Sequence, residues 1–388
     1  MITRSAEKLL RLLAKEFRSV AVVGPRQSGK TTLVKSVFPR KSYVSLEDPD
    51  ERNQANNDPR AFLARFKNGA IIDEAQRVPA LFSYLQRVLD TTKKDGLFIL
   101  TGSNNFLLQE SISQTLAGRI GYMDLLPLCY QELTQFNLAK ASTNHLIWNG
   151  CYPEIYDRER SPSLWYPAYI RTYVERDVRQ IKNVTDTLLF TRFLQLCAGR
   201  VAQQLSTTSL SNECGIDART VQNWLGILES SYVIFMLQPH HKNFNKRIVK
   251  TPKLYFYDSG LACSLLGIKS EKELANSHYR GALFENYVVT ECLKNKHNTG
   301  SRTSFYYWRD NKGVEVDLVA DTGKKLLPIE IKSTQTFRED SLTNIFKWNT
   351  YAAQKGGLLL FDGEQNFTRS DKISILNWRK VRSIRRLF

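Results

Sequence analysis

Short, unbroken apolar runs recur through the first part of the chain, at 20–24, 43–46, 70–73, 97–101 and 120–125, with helix-spaced segments between them. Runs of this length without polar alternation mark strands buried on both faces. Strands that alternate with helices predict a parallel α/β sheet covered by helices. Pro127, after Asp124-Leu125-Leu126, marks a boundary. The stretch from 127 to 185 then reads as helical and aromatic, a small helical lid. In Tyr169–Arg179, Arg171, Glu175 and Arg179 lie four apart and share a face.

A different rhythm follows from 186 to 268. Phe190–Ala198 reads as a helix, Ser209–Cys214 as a short one stopped by Gly215, and Ala218–Glu229 as a third, with Asp217 as its N-cap. Val221, Leu225 and Leu228 form its core stripe, and Arg219, Gln222 and Asn223 its outer face. Two strand-like runs, Tyr232–Leu237 and Lys253–Tyr257, flank the basic segment HHKNFNKR. Helix, short helix, helix and hairpin outline a winged helix, a form able to present such side chains to DNA. The last unit, 269–388, opens with a helix at Gly281–Val289 and continues with strands at Phe305–Arg309, Val314–Ala320 and Leu326–Lys332. The expected division is thus 1–126, 127–185, 186–268 and 269–388.

Composition changes this picture in few places. A chain of 388 residues with 42% hydrophobic content is long enough for several packed domains. No apolar run is long enough to cross a membrane, and MITRSAEKLLRLLAKEF is an amphipathic helix without a cleavage site. A cytoplasmic protein with no membrane partner is expected. Six cysteines without CxxC spacing read as reduced thiols, and the five histidines lack metal-ligand spacing. The net charge of +17 points to an anionic partner, first of all nucleic acid and DNA in particular. Arg379, Lys380, Arg382, Arg385 and Arg386 concentrate part of it near the C-terminus.

The chemistry begins at Gly24-Pro25-Arg26-Gln27-Ser28-Gly29-Lys30-Thr31-Thr32. Glycine, four residues, then Gly-Lys-Thr, placed between an apolar run and a helix, is the phosphate-binding loop pattern. The glycines let successive N–H groups face one anion, and the helix start adds partial positive charge. Lys30 is expected on the β- and γ-phosphates of ATP and Thr31 on Mg²⁺. The run Gly69–Ile72 ends in Asp73-Glu74; Asp73 is expected to hold Mg²⁺ and Glu74 to polarise the attacking water. After Leu97–Thr101 comes Gly102-Ser103-Asn104-Asn105, where Asn104 is the candidate sensor of the γ-phosphate.

A second site comes from period-two reading. In Val314–Ala320, Glu315 and Asp317 face away from Val314, Val316, Leu318 and Ala320; in Leu326–Lys332, Glu330 and Lys332 share a face. Paired strands would gather these acids, with Glu285 from the preceding helix, into a site able to hold Mg²⁺ as a nuclease does, Lys332 neutralising the developing charge. Glu285, Asp317 and Glu330-x-Lys332 resemble the PD-(D/E)xK nuclease superfamily, with Val316 where its familiar proline stands. The expected fold here is a restriction-endonuclease-like α/β domain.

Together GPRQSGKTT, IIDEAQ, ILTGSNN, LAGR, YIRTYVERDV, GALFENYVV and EVDLV with PIEIK resemble a large prokaryotic group of AAA-superfamily ATPases whose C-terminal half is a domain of unknown function. The resemblance implies ATP hydrolysis through Lys30, Thr31, Asp73 and Glu74. It also implies a catalytic arginine acting in cis or from a neighbouring subunit of a homo-oligomer. Arg119 is the first choice, with Arg171 and Arg176 in reserve. Two readings follow. One is an ATP-driven enzyme on DNA, with a nuclease domain; the other is a nucleotide-dependent switch whose nuclease-like domain only recognises.

Overall fold

The computed structural model describes residues 2–103, 115–174, 186–240, 250–384 and 387. The chain forms two compact units. The first is Met1–Leu128 with Ser230–Tyr232 and His297–Gly300; the second is Cys129–Glu229, Val233–Lys296 and Ser301–Phe388.

In the first unit, α1 (Glu7–Glu16) precedes β1 (Ser19–Val23), α2 (Lys30–Val37), β2 (Ser42–Ser45), α3 (Pro49–Asn57), α4 (Pro59–Ala64), β3 (Ala70–Asp73), α5 (Leu81–Thr92), β4 (Phe98–Gly102) and β5 (Ile120–Asp124). Among the described residues the five strands form one parallel sheet in the order β2-β3-β4-β1-β5. This is the expected α/β class, each strand within about a residue of its apolar run. All five residues of β1 are buried. Val20 and Val22 pack with Leu33, Val34 and Val37 of α2, Ile71, Ile99 and Met123 of the neighbouring strands, and Leu10 of α1. The chain winds outward from β1 to β2, returns through β3 and β4, and crosses β1 to reach β5. Parallel sheets bind ligands at the carboxyl ends of strands where the winding reverses, which here is the end of β1.

Gly24 leaves that end at φ 147°, and an added Cβ would lie 2.2 Å from the carbonyl oxygen of Leu125. Leu125 is itself fixed, its N–H donating to the Val23 carbonyl at 2.7 Å.

In the second unit, three short helices, α6 (Thr143–Asn149), α7 (Pro153–Asp157) and α8 (Pro162–Tyr169), lead to α9 (Thr187–Ala198), β6 (Gln203–Gln204), α10 (Thr207–Cys214), α11 (Ala218–Ser230), β7 (Ile234–Leu237) and β8 (Lys253–Phe256). The Asp217 carboxylate accepts from Thr220 N–H at 2.9 Å, as expected of a cap. Val221, Leu225 and Leu228 are buried, and Trp224 packs edge-on to Phe190 and Phe193 of α9. β6, β8 and β7 form an antiparallel three-stranded sheet in that order. Asp258, 1% exposed, starts α12 (Ser259–Leu265) and also accepts from Cys151 N–H at 2.7 Å and the Tyr166 hydroxyl at 2.6 Å. All six cysteines are free and buried.

The unit continues with α13 (Arg280–Thr299), β9 (Ser304–Arg309), β10 (Glu315–Asp321), β11 (Leu326–Lys332), α14 (Thr343–Ala352), β12 (Gly357–Phe361), β13 (Phe367–Thr368) and β14 (Ile373–Asn377). Among the described residues the sheet order is β13-β14-β12-β11-β10-β9, with β9, β10 and β11 antiparallel and β12 parallel to β11. Strict alternation along β10 fails. The register shifts between Val316 and Val319, so Val314, Val316 and Val319, not Leu318, join Trp308 and Trp348 in one cluster. An extra residue at a bulge turns the following side chains to the opposite face.

We expect Gly24→Ala to lower the stability of the first unit by about 2 kcal/mol, since both its φ and its contact with Leu125 are denied to a side chain. An unchanged urea midpoint would show that the loop shifts freely away from Leu125.

Candidate functional site

The loop after β1 ends at Gly29, left-handed at φ 90°, which serves as the N-cap of α2. Arg4 braces it from beneath, donating to the Ser28 carbonyl at 2.6 Å and the Leu126 carbonyl at 2.7 Å. Lys30 is 6% exposed, and its ammonium donates to the Gly24 and Pro25 carbonyls at 3.0 and 2.8 Å. The Ser28 hydroxyl is buried with no hydrogen-bond partner among the described residues. A curled loop with an inward lysine, at the start of a helix, suits an anionic group.

Asp73 closes the site from the end of β3. Its carboxylate accepts from the Thr31 hydroxyl at 2.9 Å, from the Tyr43 hydroxyl at 2.9 Å, and from the Thr101 hydroxyl. Partial burial, followed by the charge of Asp73, pushes Tyr43 up to about 12. Glu74 sits in the left-handed region at φ 54°, rare for a non-glycine residue. Its carboxylate accepts from Gln76 at 2.6 Å and Ser103 at 3.0 Å. Thr31 and Asp73 thus form a hydroxyl–carboxylate pair suited to Mg²⁺, with Glu74 adjacent. Gln76, Ser103, Tyr43 and Thr101 were not singled out from the sequence; only IIDEAQ and TGS as strings contained three of them.

Asn104 and Arg176 lie outside the described residues. Arg171 is exposed. Arg119 donates to the Asp90 carboxylate at 2.6 and 3.0 Å. Its carbonyl accepts from Ser19 N–H at 3.1 Å, at the amino end of β1. Gly24 follows the other end of this five-residue strand, about 17 Å away at ordinary strand rise. Within one chain Arg119 therefore stands at the wrong edge of the sheet to act in cis.

The second constellation also comes together. Lys332 Nζ is 2.8 Å from Glu330 and 3.5 Å from Asp317, and Asp317 accepts from Ile331 N–H at 2.9 Å. Glu330 is fully buried. Burial, then the charge of Asp317, pushes Glu330 well above the carboxylate range. Two residues unforeseen from the sequence hold Glu285. Lys253 Nζ stands 3.1 Å from it and the Tyr255 hydroxyl donates at 2.6 Å. Lys253 also pairs with Glu315, which Arg309 meets from its other side at 2.9 Å. Burial, opposed by Lys253, pushes Glu285 up to about 7. Burial works against the charge of Lys253 as well, but Glu285, Asp317 and Glu315 outweigh it and raise it.

The expected Mg²⁺ ligands Glu285, Asp317 and Glu330 stand beside two ammonium groups here. The cations among these acids are the chain's own Lys253 and Lys332. Among the described residues no three carboxylate, imidazole or thiol groups stand together as a metal site. Both carboxylate oxygens of Glu330 are buried without a well-aligned hydrogen-bond donor among the described residues, although Lys332 Nζ stands 2.8 Å from one of them.

Comparison with known proteins accords with the first site. Residues 16–134 match an AAA domain family, residues 140–272 the domain of unknown function DUF8612, and residues 280–381 the domain of unknown function DUF4143. The uncharacterized proteins Rv2008c of Mycobacterium tuberculosis and Mb2031c of Mycobacterium bovis are each 28% identical over 375 residues, covering 95% of this chain and 82% of theirs. The Walker-type ATPase PABY2304 of Pyrococcus abyssi is 15% identical with a TM-score of 0.47, covering 67% of this chain and 94% of that one. The Holliday junction branch migration motor RuvB of Thermotoga maritima is 17% identical with a TM-score of 0.32, covering 60% and 89%. Residues 16–134 are thus similar to an AAA domain and carry the geometry of a phosphate-binding loop. They are followed by a C-terminal domain similar to the DUF4143 type.

Replacing Lys253 by Met would leave Glu285 and Glu315 without their shared cation. We expect a loss of about 3 kcal/mol at pH 8, as for a broken buried pair. The loss should shrink towards pH 5, where Glu285, already raised, takes up a proton and no longer needs a counter-charge. Urea unfolding at the two pH values measures both; equal losses would contradict the pairing.

Proposed function

We propose that this protein hydrolyses ATP with Mg²⁺ and acts on DNA, with its C-terminal domain recognising rather than cutting. The observation that carries the first part is the Thr31–Asp73 contact at 2.9 Å, beside Lys30 and at the start of α2. Gly24 to Thr32 would cradle the phosphates, and Thr31 with Asp73 would hold Mg²⁺. When bound, Mg²⁺ neutralises phosphate oxygens and so favours transfer to water. Lys30 would give up the Gly24 and Pro25 carbonyls to pair with phosphate. Glu74, held by Gln76 and Ser103, would orient the attacking water. Asn104 is assigned to sensing the γ-phosphate. Arg119 is assigned to a neighbouring subunit's site in an ATP-dependent homo-oligomer, since it does not reach its own.

The net charge of +17 supports DNA as the partner. So does the winged-helix outline of 186–268, in which Arg219 and Gln222 are exposed on α11 and Asn223 is half-buried. α13 followed by β9, β10 and β11 keeps the helix-and-strand order read from the sequence for a nuclease-like domain, but Lys253 favours a site already neutralised.

Lys30→Ala should reduce ATP turnover at least ~100-fold by removing charge from the transferred phosphoryl group. Glu74→Gln should bind ATP and retain it. Steady-state hydrolysis and filter retention of labelled ATP test both, and normal turnover by folded Lys30→Ala would sink the assignment.

The C-terminal reading is tested by incubating wild type and Asp317→Ala with single-stranded, duplex and branched DNA in Mg²⁺, with and without ATP. Binding without cleavage, unchanged by the substitution, is expected. Cleavage lost in Asp317→Ala would establish a nuclease instead.

A further inference from the structure

Most arginines described above have acidic or carbonyl partners, whereas one groove of the second unit is lined by cations that have none. The groove encloses about 1420 Å³. Arg302, Lys324, Lys325, Lys355 and Lys372 line it, and all five are exposed. They come from the start of β9, the β10–β11 turn, and the approaches to β12 and β14. One acid, Asp321, shares the lining with these five cations. Asp321 accepts from Gly323 N–H at 2.8 Å, and Asp371, next to Lys372, pairs with Arg369 at 3.1 Å. Among the described residues none of the five cations is in an ion pair. Concave surfaces lined by one sign of charge focus its field and concentrate the opposite charge.

The place in the fold is distinct from the carboxylate–lysine cluster. The groove opens at the Leu326 end of β11, whereas Glu330 and Lys332 lie towards its other end. The lining reaches Pro328, two residues or about 7 Å of strand from Glu330, and includes neither Glu330 nor Asp317. Binding here therefore requires nothing of Asp317 or Glu330.

Its chemistry chooses among anionic partners. The volume exceeds the ~300–1,000 Å³ usual for small-molecule sites, which favours a polymer. Of the large exposed apolar side chains, Leu12, Tyr43, Leu164, Leu188, Phe346 and Phe367, none lines the groove. A membrane surface would thus find charge but only the half-buried Leu326 and Leu327 as apolar contacts, and no large exposed anchor. Lysine ammonium groups with the hydroxyls of Ser301, Thr303 and Thr322 suit phosphate oxygens, which position a nucleic acid without reading its sequence.

We propose that this groove is a sequence-independent binding site for the phosphate backbone of DNA. The proposal rests on the reading of the protein as DNA-acting and adds where the backbone is held.

The test is duplex binding by the full chain at several salt concentrations. Wild type is compared with a triple variant, Lys324→Gln, Lys355→Gln and Lys372→Gln, and with a control, Lys8→Gln, Lys67→Gln and Lys94→Gln. The control removes the same charge from exposed positions of the first unit. Three lost phosphate contacts should lower the slope of log K against log[salt] by about 2.7. The affinity gap between wild type and the groove variant should then narrow about 40-fold from 50 to 200 mM salt. The control should keep the wild-type slope, and thermal unfolding midpoints should match. Wild-type behaviour in the groove variant would overturn the site while leaving DNA binding intact. An equal fall in the control would reduce it to overall charge. Wild type that ignores DNA, or binds only phosphatidylserine vesicles, would overturn the DNA reading itself.

Discussion

The first unit depends on where one carboxylate sits. Asp73 receives hydroxyls from three different elements: Thr31 at the start of α2, Tyr43 in β2 and Thr101 in β4. Nothing local in the chain joins these residues. They meet because the strands are parallel, so their carboxyl ends share one edge, and because β4 lies between β1 and β3. Val22 is in register with Thr101, and Ile72 with Leu100. Thr101 therefore fills the width of the strand that separates the loop from Asp73. A slip of one residue would turn Asp73 or Thr101 to the other face of the sheet and dismantle the pair. The continuous burial of β1 holds that register, because every residue of the strand has a packed position to lose.

The same reasoning explains what could be read from the sequence. A strand buried on both faces cannot hide polar residues, so β1, β3 and β4 stood out as apolar runs, and their bounds fell within about a residue. The phosphate loop was legible because its demand is local: Gly24 and Gly29 occupy conformations that side chains resist. Asp317, Glu330 and Lys332 come together by counting alternate positions, with Glu285 joining from the preceding helix, although the bulge in β10 lies beside Asp317 and invalidates the count beyond it. What alternation cannot show is a partner from another element. Lys253 lies 32 residues before Glu285 and reads in sequence as one more strand residue. Which edge of the sheet carries Arg119 was hidden for a related reason. The string LAGR says that an arginine follows a turn, but only the pairing of Ser19 with Ile120 says at which end of the sheet it lies.

Set side by side, the two acidic sites show how a carboxylate's neighbours decide its chemistry. Around Asp73 the donors are hydroxyls. They orient the carboxylate but leave its charge uncancelled, and such a group invites a hard cation. Around Glu285, Glu315, Asp317 and Glu330 the donors include ammonium groups. Lys253 is almost fully enclosed among them, with its side chain 3% exposed. Burying charge without a partner is costly, and a lysine already in place offsets part of the acids' charge and weakens their attraction for a metal. Similar residue types at similar spacing thus describe opposite situations. The discriminating feature is whether the charge in the cluster is already balanced. By that criterion the phosphate-loop site is ready to take up a cation and its nucleotide, whereas the C-terminal cluster holds Lys253 buried among its acids and Lys332 at a partly open edge.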